Sequence, residues 1–168
     1  MKDKVLIIDL ELTCWNIPTN DIPEIIQIGI VEVDIVERKI TREREMFVKP
    51  QLTEISDFCT ELTGITKKQV YKQGLEYSKA MHILNTKFGF ANKLIIGWGR
   101  DDLAFKEGVD QYMNLSYLYS IINQTTTKFK LEDALKNENL IFEGKAHNAL
   151  VDARNTARLF LNLFDKLQ

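Results

Sequence analysis

The chain has 168 residues, of which 45% are hydrophobic and 27% are charged, and its formal net charge is −2 at pH 7. This composition excludes a disordered chain, and the length allows one domain with a substantial hydrophobic core. The small net charge excludes a globally basic nucleic-acid-binding protein, so nucleic acid would have to bind through a local patch or through metal ions.

No segment has the layout of a signal peptide or the length of apolar sequence that a membrane span requires. The two cysteines, Cys14 and Cys59, form no Cys-x-x-Cys or Cys/His group, which is typical of reduced thiols. The chain also lacks a proline-rich, glycine-rich or repetitive segment that would act as a linker. We therefore predict a cytoplasmic protein of one domain that makes no membrane contact.

The first predicted element is a strand in which four apolar residues, 5–8, run directly into Asp9 and Glu11. An apolar run without polar alternation indicates a strand buried on both faces. Side chains two positions apart on a strand point to the same side, so both carboxylates project from its carboxyl end, where open α/β sheets usually bind ligands. An isolated pair of this kind is most often an ordinary polar strand end. A divalent metal site therefore requires further carboxylates from elsewhere in the chain.

Two more strands are predicted at residues 24–33 and 40–48, joined by a charged turn, so the sheet begins as an antiparallel meander. Capping residues and apolar spacing then predict helices at residues 56–64, 66–74 and 77–88. A second apolar strand follows at residues 93–98, and a helical crossover between two strands implies that it lies parallel to the first.

The remainder of the chain is predicted to be mostly helical. We expect a helix from Asp102 to about Met113, a short strand within 113–118, a polar loop at 125–130 and a helix at 131–137. A final helix is predicted from residue 147 to residue 163, with apolar side chains facing the core at positions 150, 153, 157, 160 and 164. Strands followed by helices predict a layered α/β domain.

Further carboxylates do occur beside predicted buried elements, at Asp101 and Asp102 and at Asp152. His147 lies five residues before Asp152, and five helical steps of ~100° would place the two side chains on different faces. We therefore expect His147 in the loop or first turn, where it can lean towards the same site. Singly, these residues have ordinary explanations, such as helix capping by Asp102, but together they favour a common site.

Three segments, residues 9–11, 99–102 and 147–152, resemble the three exonuclease motifs of the DEDDh 3′→5′ exonucleases. The resemblance implies a ribonuclease H-like three-layer α/β/α fold with a five-stranded mixed sheet, in a single exonuclease domain over residues 1–168. Residues 47–50 and 56–66 are similar to a narrower subgroup, the ERI-like histone mRNA 3′ exonucleases and the bacterial KapD-like proteins. Unlike the eukaryotic members, the chain has no accessory nucleic-acid-binding domain, which leaves a specific RNA target open.

The resemblance also implies the roles of the site residues. The residues expected to hold two Mg²⁺ or Mn²⁺ ions are Asp9, Glu11, Asp102 and Asp152. His147 would take the proton of the attacking water, and the product would be a nucleoside 5′-monophosphate. Of the two adjacent aspartates, we choose Asp102, because the family spacing from Gly99 matches it and neighbouring helical positions point in different directions.

The implied substrate is the 3′ end of single-stranded RNA or DNA, with RNA favoured. The candidate substrate-binding residues are Leu10, Thr13, Trp15 and Glu24, with Thr13 near the terminal sugar. Trp15 could stack on a base or pack in the core, core packing is favoured for Trp98, and lysines 128, 130 and 145 are typical of solvated surface. The alternatives are a nanoRNase that acts on short oligoribonucleotides and a non-catalytic regulatory protein on the same fold.

Overall fold

The apolar residues that follow Lys4 form β1 (Lys4–Leu12), the central strand of the protein. The computed structural model describes residues 3–166, and within it the neighbouring side chains of Ile7 and Ile8 are both fully buried. Because successive strand side chains point to opposite faces, both faces of β1 are covered, as the unbroken apolar run predicts.

Within residues 3–166 the sheet has five strands, in the order β3-β2-β1-β4-β5. The strands beside β1 are β2 (Ile25–Asp34), β3 (Lys39–Phe47), β4 (Ile95–Gly97) and β5 (Tyr112–Asn114). β1, β2 and β3 pair antiparallel in chain order, whereas β4 is parallel to β1 and β5 is parallel to β4. The predicted meander and parallel crossover are therefore confirmed, and the sheet is mixed.

Helices cover both faces of this sheet. Those of the described chain are α1 (Asp57–Thr63), α2 (Lys67–Gln73), α3 (Tyr77–Ile83), α4 (Leu115–Ile122), α5 (Leu131–Asn137) and α6 (Ala149–Lys166). One face of the sheet packs against α4, α5 and α6, and the other packs against α3 and the π-helical turn that continues it. This is the three-layer α/β/α arrangement that the resemblance implies. Nowhere in residues 3–166 is a helix long and apolar enough to cross a membrane.

The start of α6 lies directly on β2 at Gly29. A Cβ atom at position 29 would fall 2.1 Å from the carbonyl carbon and oxygen of Ala149, so a side chain there would displace the helix. The small residues Ala153 and Ala157 are also fully buried against the sheet. The sequence therefore allows α6 to approach the sheet closely, and this approach sets the height of the helix above β1.

One predicted element is wrong, and the last short strand is only partly as predicted. The segment after β4 forms only a 3₁₀ turn, Asp101–Ala104, instead of a helix to Met113. Gly108, within the range predicted to be helical, has a left-handed backbone (φ 74°) that an α-helix does not allow. The short strand ends at Asn114, whose side chain accepts hydrogen bonds from the N–H groups of Ser116 and Tyr117 and so caps α4. A strong N-cap thus begins a helix within the range where the sequence predicted a strand.

Candidate active site

Three carboxylates meet at the carboxyl end of β1. Asp9 and Glu11 come from β1 and Asp152 from the first turn of α6, and one oxygen of each lies within 4.8 Å of the others. The alternation of strand side chains explains why Asp9 and Glu11 reach the same point, and the close approach of α6 brings Asp152 to them. The structure therefore joins two of the three segments that carry the predicted site.

Two hydrogen bonds of Asp152, one from its backbone N–H and one to its side-chain oxygen, hold the loop before α6. The backbone N–H of Asp152 donates to the carbonyl of Asn148 (2.9 Å), and its Oδ2 accepts from the backbone N–H of His147 (2.9 Å). His147 has a left-handed backbone (φ 62°) and an exposed side chain in this loop, where the sequence analysis expected it. The position of His147 is thus coupled to that of the carboxylate.

A buried polar network anchors the same loop to the sheet. The side chain of Gln27 on β2, 1% exposed, accepts from the N–H of Ala149 (2.9 Å) and donates to Glu45 on β3 (2.8 Å). Glu45 also accepts from the side-chain amide of Asn148 (3.0 Å). Gln27 was not predicted as part of the site, although a polar residue among the apolar residues 25–31 was a signal for a buried hydrogen-bonding role.

Asp9 and Glu11 lie among like charges. Burial is the main cause that holds the pKa of Asp9 well above its usual value, and the charges of Asp101, Asp152 and Glu11 add to it. Burial, followed by Asp152 and Asp101, raises the pKa of Glu11 to about 7. Across residues 3–166, no salt bridge to lysine or arginine involves Asp9, Glu11 or Asp152.

The structure distinguishes the two adjacent aspartates, and the choice of Asp102 stays a prediction. Asp101 acts on the pKa values of Asp9 and Glu11, whereas Asp102 accepts two hydrogen bonds from the guanidinium of Arg100 (3.0 and 3.1 Å). The hydroxyl of Tyr112 donates to Asp101 (3.1 Å) across Gly97, where any Cβ would lie 2.6 Å from the Asp101 carboxylate. The prediction of Asp102 rested on the family spacing from Gly99. In the 3₁₀ turn, the charge of Asp101 reaches Asp9 and Glu11, so Asp101 becomes a second candidate for this position.

The predicted substrate-binding residues mostly have partners within the protein. Thr13 is fully buried, accepts from the N–H of Glu24 (2.9 Å) and shares a hydrogen bond with Thr53 (2.9 Å). Burial raises the pKa of Glu24, but hydrogen bonds from residues 51–53 outweigh burial and leave it below the usual value. Leu10 is 9% exposed within the core, and Trp15 is half-buried. The structure gives Thr13 and Glu24 a role in shaping the loop beside Glu11, and their contact with substrate stays a prediction.

The donor set suits a hard divalent cation. All the side chains of the cluster offer carboxylate oxygens, which are the ligands that Mg²⁺ and Mn²⁺ prefer, whereas a structural Zn²⁺ site would need cysteine or histidine. A cation bound among the oxygens would also remove the repulsion that raises the pKa values of Asp9 and Glu11. The residues therefore fit a divalent metal.

A family model described as exonuclease (RNase T) matches residues 6–160. ERI1 exoribonuclease 2 of Danio rerio is 28% identical over 188 residues, which cover 92% of this chain and 34% of that protein. The PolC-type DNA polymerase III of Caldanaerobacter subterraneus is 30% identical over 176 residues, which cover 100% of this chain and 12% of the polymerase. The chain therefore spans about a third or less of these relatives.

Among solved structures, the nuclease domain of 3′hExo, a DEDDh family member bound to rAMP, is similar with a TM-score of 0.85 at 22% identity. The match covers 98% of this chain and 93% of that domain. It confirms the fold that the resemblance implied.

Proposed function

Because the chain belongs to the exonuclease family, we propose that it removes nucleotides from the 3′ end of single-stranded nucleic acid, with RNA favoured over DNA. The observation that carries this proposal is the convergence of Asp9, Glu11 and Asp152, which have no salt bridge to lysine or arginine within residues 3–166, beside the exposed His147. An uncompensated buried carboxylate cluster is unfavourable by itself, so its retention favours a bound cation.

In the proposed reaction, Asp9, Glu11, Asp101 and Asp152 would hold two Mg²⁺ or Mn²⁺ ions, and such ions would supply activation of the water and stabilisation of the leaving oxygen. The imidazole of His147 accepts the proton of the attacking water. The bond between phosphorus and the 3′ oxygen of the preceding nucleotide breaks, and that oxygen leaves with a proton. The released product is a nucleoside 5′-monophosphate.

The preference for RNA rests on what similar proteins are named for. The Danio rerio relative is an exoribonuclease and the 3′hExo domain is bound to rAMP, whereas the PolC-type relative is a DNA polymerase. A single-stranded 3′ end is the proposed partner, and the cytoplasmic location stays a prediction.

The test uses RNA and DNA oligomers of one sequence, labelled at the 5′ end, with Mg²⁺, Mn²⁺ or EDTA. We expect a ladder that shortens from the 3′ end with either metal, faster on RNA, and 5′-monophosphates as products. Asp9→Asn should abolish it while leaving the circular dichroism spectrum unchanged. Hydrolysis that survives both EDTA and Asp9→Asn would contradict the proposal, and a preference for the shortest oligomers would support the nanoRNase alternative.

A further inference from the structure

His147, the proposed general base, lies outside the regular elements that hold the carboxylates. Its side chain is exposed and its backbone is left-handed (φ 62°), a conformation that is unfavourable for residues other than glycine unless the surrounding structure holds it. Asp152 is fixed by the first turn of α6, whereas His147 precedes that helix. The placement of the imidazole therefore depends on contacts made by the residues on either side of His147.

The two residues directly after His147 are attached to the sheet by side chains of β2 and β3. The N–H of Ala149 donates to the side-chain oxygen of Gln27 on β2 (2.9 Å). The side-chain amide of Asn148 donates to Glu45 on β3 (3.0 Å), and the side-chain oxygen of Asn148 accepts from an N–H of the first turn of α6. The chain that leaves His147 is thus held through its backbone and through a side chain.

We propose that Gln27 is a positioning residue for the general base and acts through the placement of His147. This inference rests on the proposed function. The amide of Gln27 has one orientation that satisfies its neighbours, because the N–H of Ala149 can only donate and must face the amide oxygen. The NH₂ group of Gln27 then donates to the same oxygen of Glu45 that accepts from Asn148 (2.8 and 3.0 Å).

Burial makes the orientation of this amide important. Gln27 is 1% exposed, so a hydrogen bond lost there cannot be replaced by bulk water. A carboxylate at position 27 would still accept from the N–H of Ala149, but it would repel the carboxylate of Glu45 instead of donating to it. This repulsion would weaken the bond between Glu45 and Asn148, the residue next to His147.

The carboxylate cluster depends less on this network. Asp9 and Glu11 lie on β1, and Asp152 lies in α6, whose start packs directly on Gly29. Loss of the network should therefore displace the imidazole and leave the carboxylates in place. The expected result is lower turnover with unchanged affinity for metal and oligonucleotide, which a general loosening of the fold would not produce.

The test exchanges the two side chains that face each other. Gln27→Glu should lower kcat by roughly 10–100-fold, as expected when a catalytic group is displaced by about 1 Å, with unchanged Mn²⁺ affinity and KM for a single-stranded oligonucleotide. The double variant Gln27→Glu/Glu45→Gln should recover most of this loss, because the amide at position 45 can then donate to the carboxylate at position 27. In a His147→Ala background, Gln27→Glu should lower kcat no further.

Glu43→Gln is the matched control, because Glu43 bonds Arg154 and so also joins β3 to α6, but beyond the loop. It should leave kcat at the wild-type value, and thermal melting should show that each variant is folded. If Gln27→Glu does not fold, Glu45→Ala at the exposed edge of the sheet tests the same link. It should lower kcat only when His147 is present.

Three results would overturn the inference. The first is a wild-type kcat in Gln27→Glu or, where that variant does not fold, in Glu45→Ala. The second is a folded double variant that recovers nothing, and the third is a loss that adds in full to the loss caused by His147→Ala. If the wild type does not cleave the oligonucleotide, the proposed function itself fails, which is a different result.

Discussion

One buried carboxylate, Glu32, and one cluster of half-buried carboxylates lie at opposite ends of the central strands, and their charges are compensated differently. Glu32 on β2 has a side chain only 1% exposed, and it accepts hydrogen bonds from Lys4 (3.1 Å), Arg42 (2.7 Å) and Lys93 (2.6 Å). Burial raises its pKa, but the bonds from Arg42 and Lys93 outweigh burial and hold the pKa well below the usual range. Glu32 is therefore a fully neutralised charge whose role is structural.

The acidic cluster of Asp9, Glu11, Asp101 and Asp152 shows the reverse. Burial and mutual repulsion raise the pKa values of Asp9 and Glu11, and their neighbours are further carboxylates. The same fold thus supplies three basic groups to one buried carboxylate and none of them to the four-carboxylate cluster. Compensation by basic side chains distinguishes a carboxylate that serves stability from carboxylates that are available to a ligand. Experiments can test this difference.

The largest expected effect concerns which aspartate belongs to the cluster. Asp101→Asn should reduce hydrolysis by about 10³-fold or more, because metal ions contribute several kcal/mol to stabilisation of the transition state. Asp102→Asn is the matched control, and it should lose only the hydrogen bonds from Arg100 and stay within several-fold of the wild type. Calorimetric Mn²⁺ titration and single-turnover rates measure both variants. Normal metal binding by Asp101→Asn, together with loss of metal binding by Asp102→Asn, would support the prediction that Asp102 is the metal ligand.

A second effect separates His147 from the carboxylates. His147→Ala should lower turnover by roughly 10²–10⁴-fold, the contribution of a positioned general base. Since histidine is not a proposed ligand, Mn²⁺ affinity should stay at the wild-type value. His82, the other histidine of the chain, provides the control, because His82→Ala on α3 should change neither quantity. Turnover of His147→Ala at the wild-type rate would exclude His147 as the base.

The parts of the site that the sequence predicted correctly are those set by local periodicity. Alternation along β1 is enough to place Asp9 and Glu11 side by side, and the position of His147 in the loop or first turn followed from its offset of five residues from Asp152. The choice between Asp101 and Asp102 was not local. It depends on a 3₁₀ turn in place of an α-helix, and on the hydroxyl of Tyr112 from the neighbouring strand β5.

The fold shows the same division. The sheet order and the helical crossover follow from apolar runs and chain order, and they are confirmed. The supports of the site are contacts between distant residues, such as the bond from the N–H of Ala149 to Gln27, 122 positions away. Trp98 and Phe129 likewise come from distant segments, and the indole N–H of Trp98 donates to the carbonyl of Phe129. A single sequence contains no periodic signal for such contacts.

A third effect concerns stability at the compensated carboxylate. Glu32→Gln removes the carboxylate charge that three basic groups share, so we expect the free energy of unfolding to fall by about 2–3 kcal/mol. The loss should be smaller than for a fully buried ion pair, because Lys4 and Arg42 are partly exposed. Glu43→Gln is the matched control, since its ion pair with Arg154 lies at the surface, and it should cost at most about 1 kcal/mol. Urea denaturation measures both, and hydrolysis with saturating Mg²⁺ should be retained. Loss of activity in a folded Glu32→Gln protein would contradict a purely structural role for Glu32.

The smallest effect is the pH dependence of the metal-free protein, where the two groups should act in opposite directions. Burial and its neighbours raise the pKa of Glu11 from 4.5 to about 7 in the folded state, so the folded protein binds more protons than the unfolded chain between these values. Stability should therefore fall as pH rises from about 5 to 8, by about 1–2 kcal/mol once the sharing of protons within the cluster is allowed for. The pKa of Glu32 is lowered, so its contribution is present above pH 4.5 and is lost as pH falls below that value. The metal-free protein should be most stable near pH 5.

Saturating Mg²⁺ should flatten the loss at higher pH by binding only the folded state, and Glu11→Gln should flatten it without metal. Urea denaturation in EDTA across this range decides the matter, because metal-free stability that rises from pH 5 to pH 8 would mean that the cluster is compensated after all.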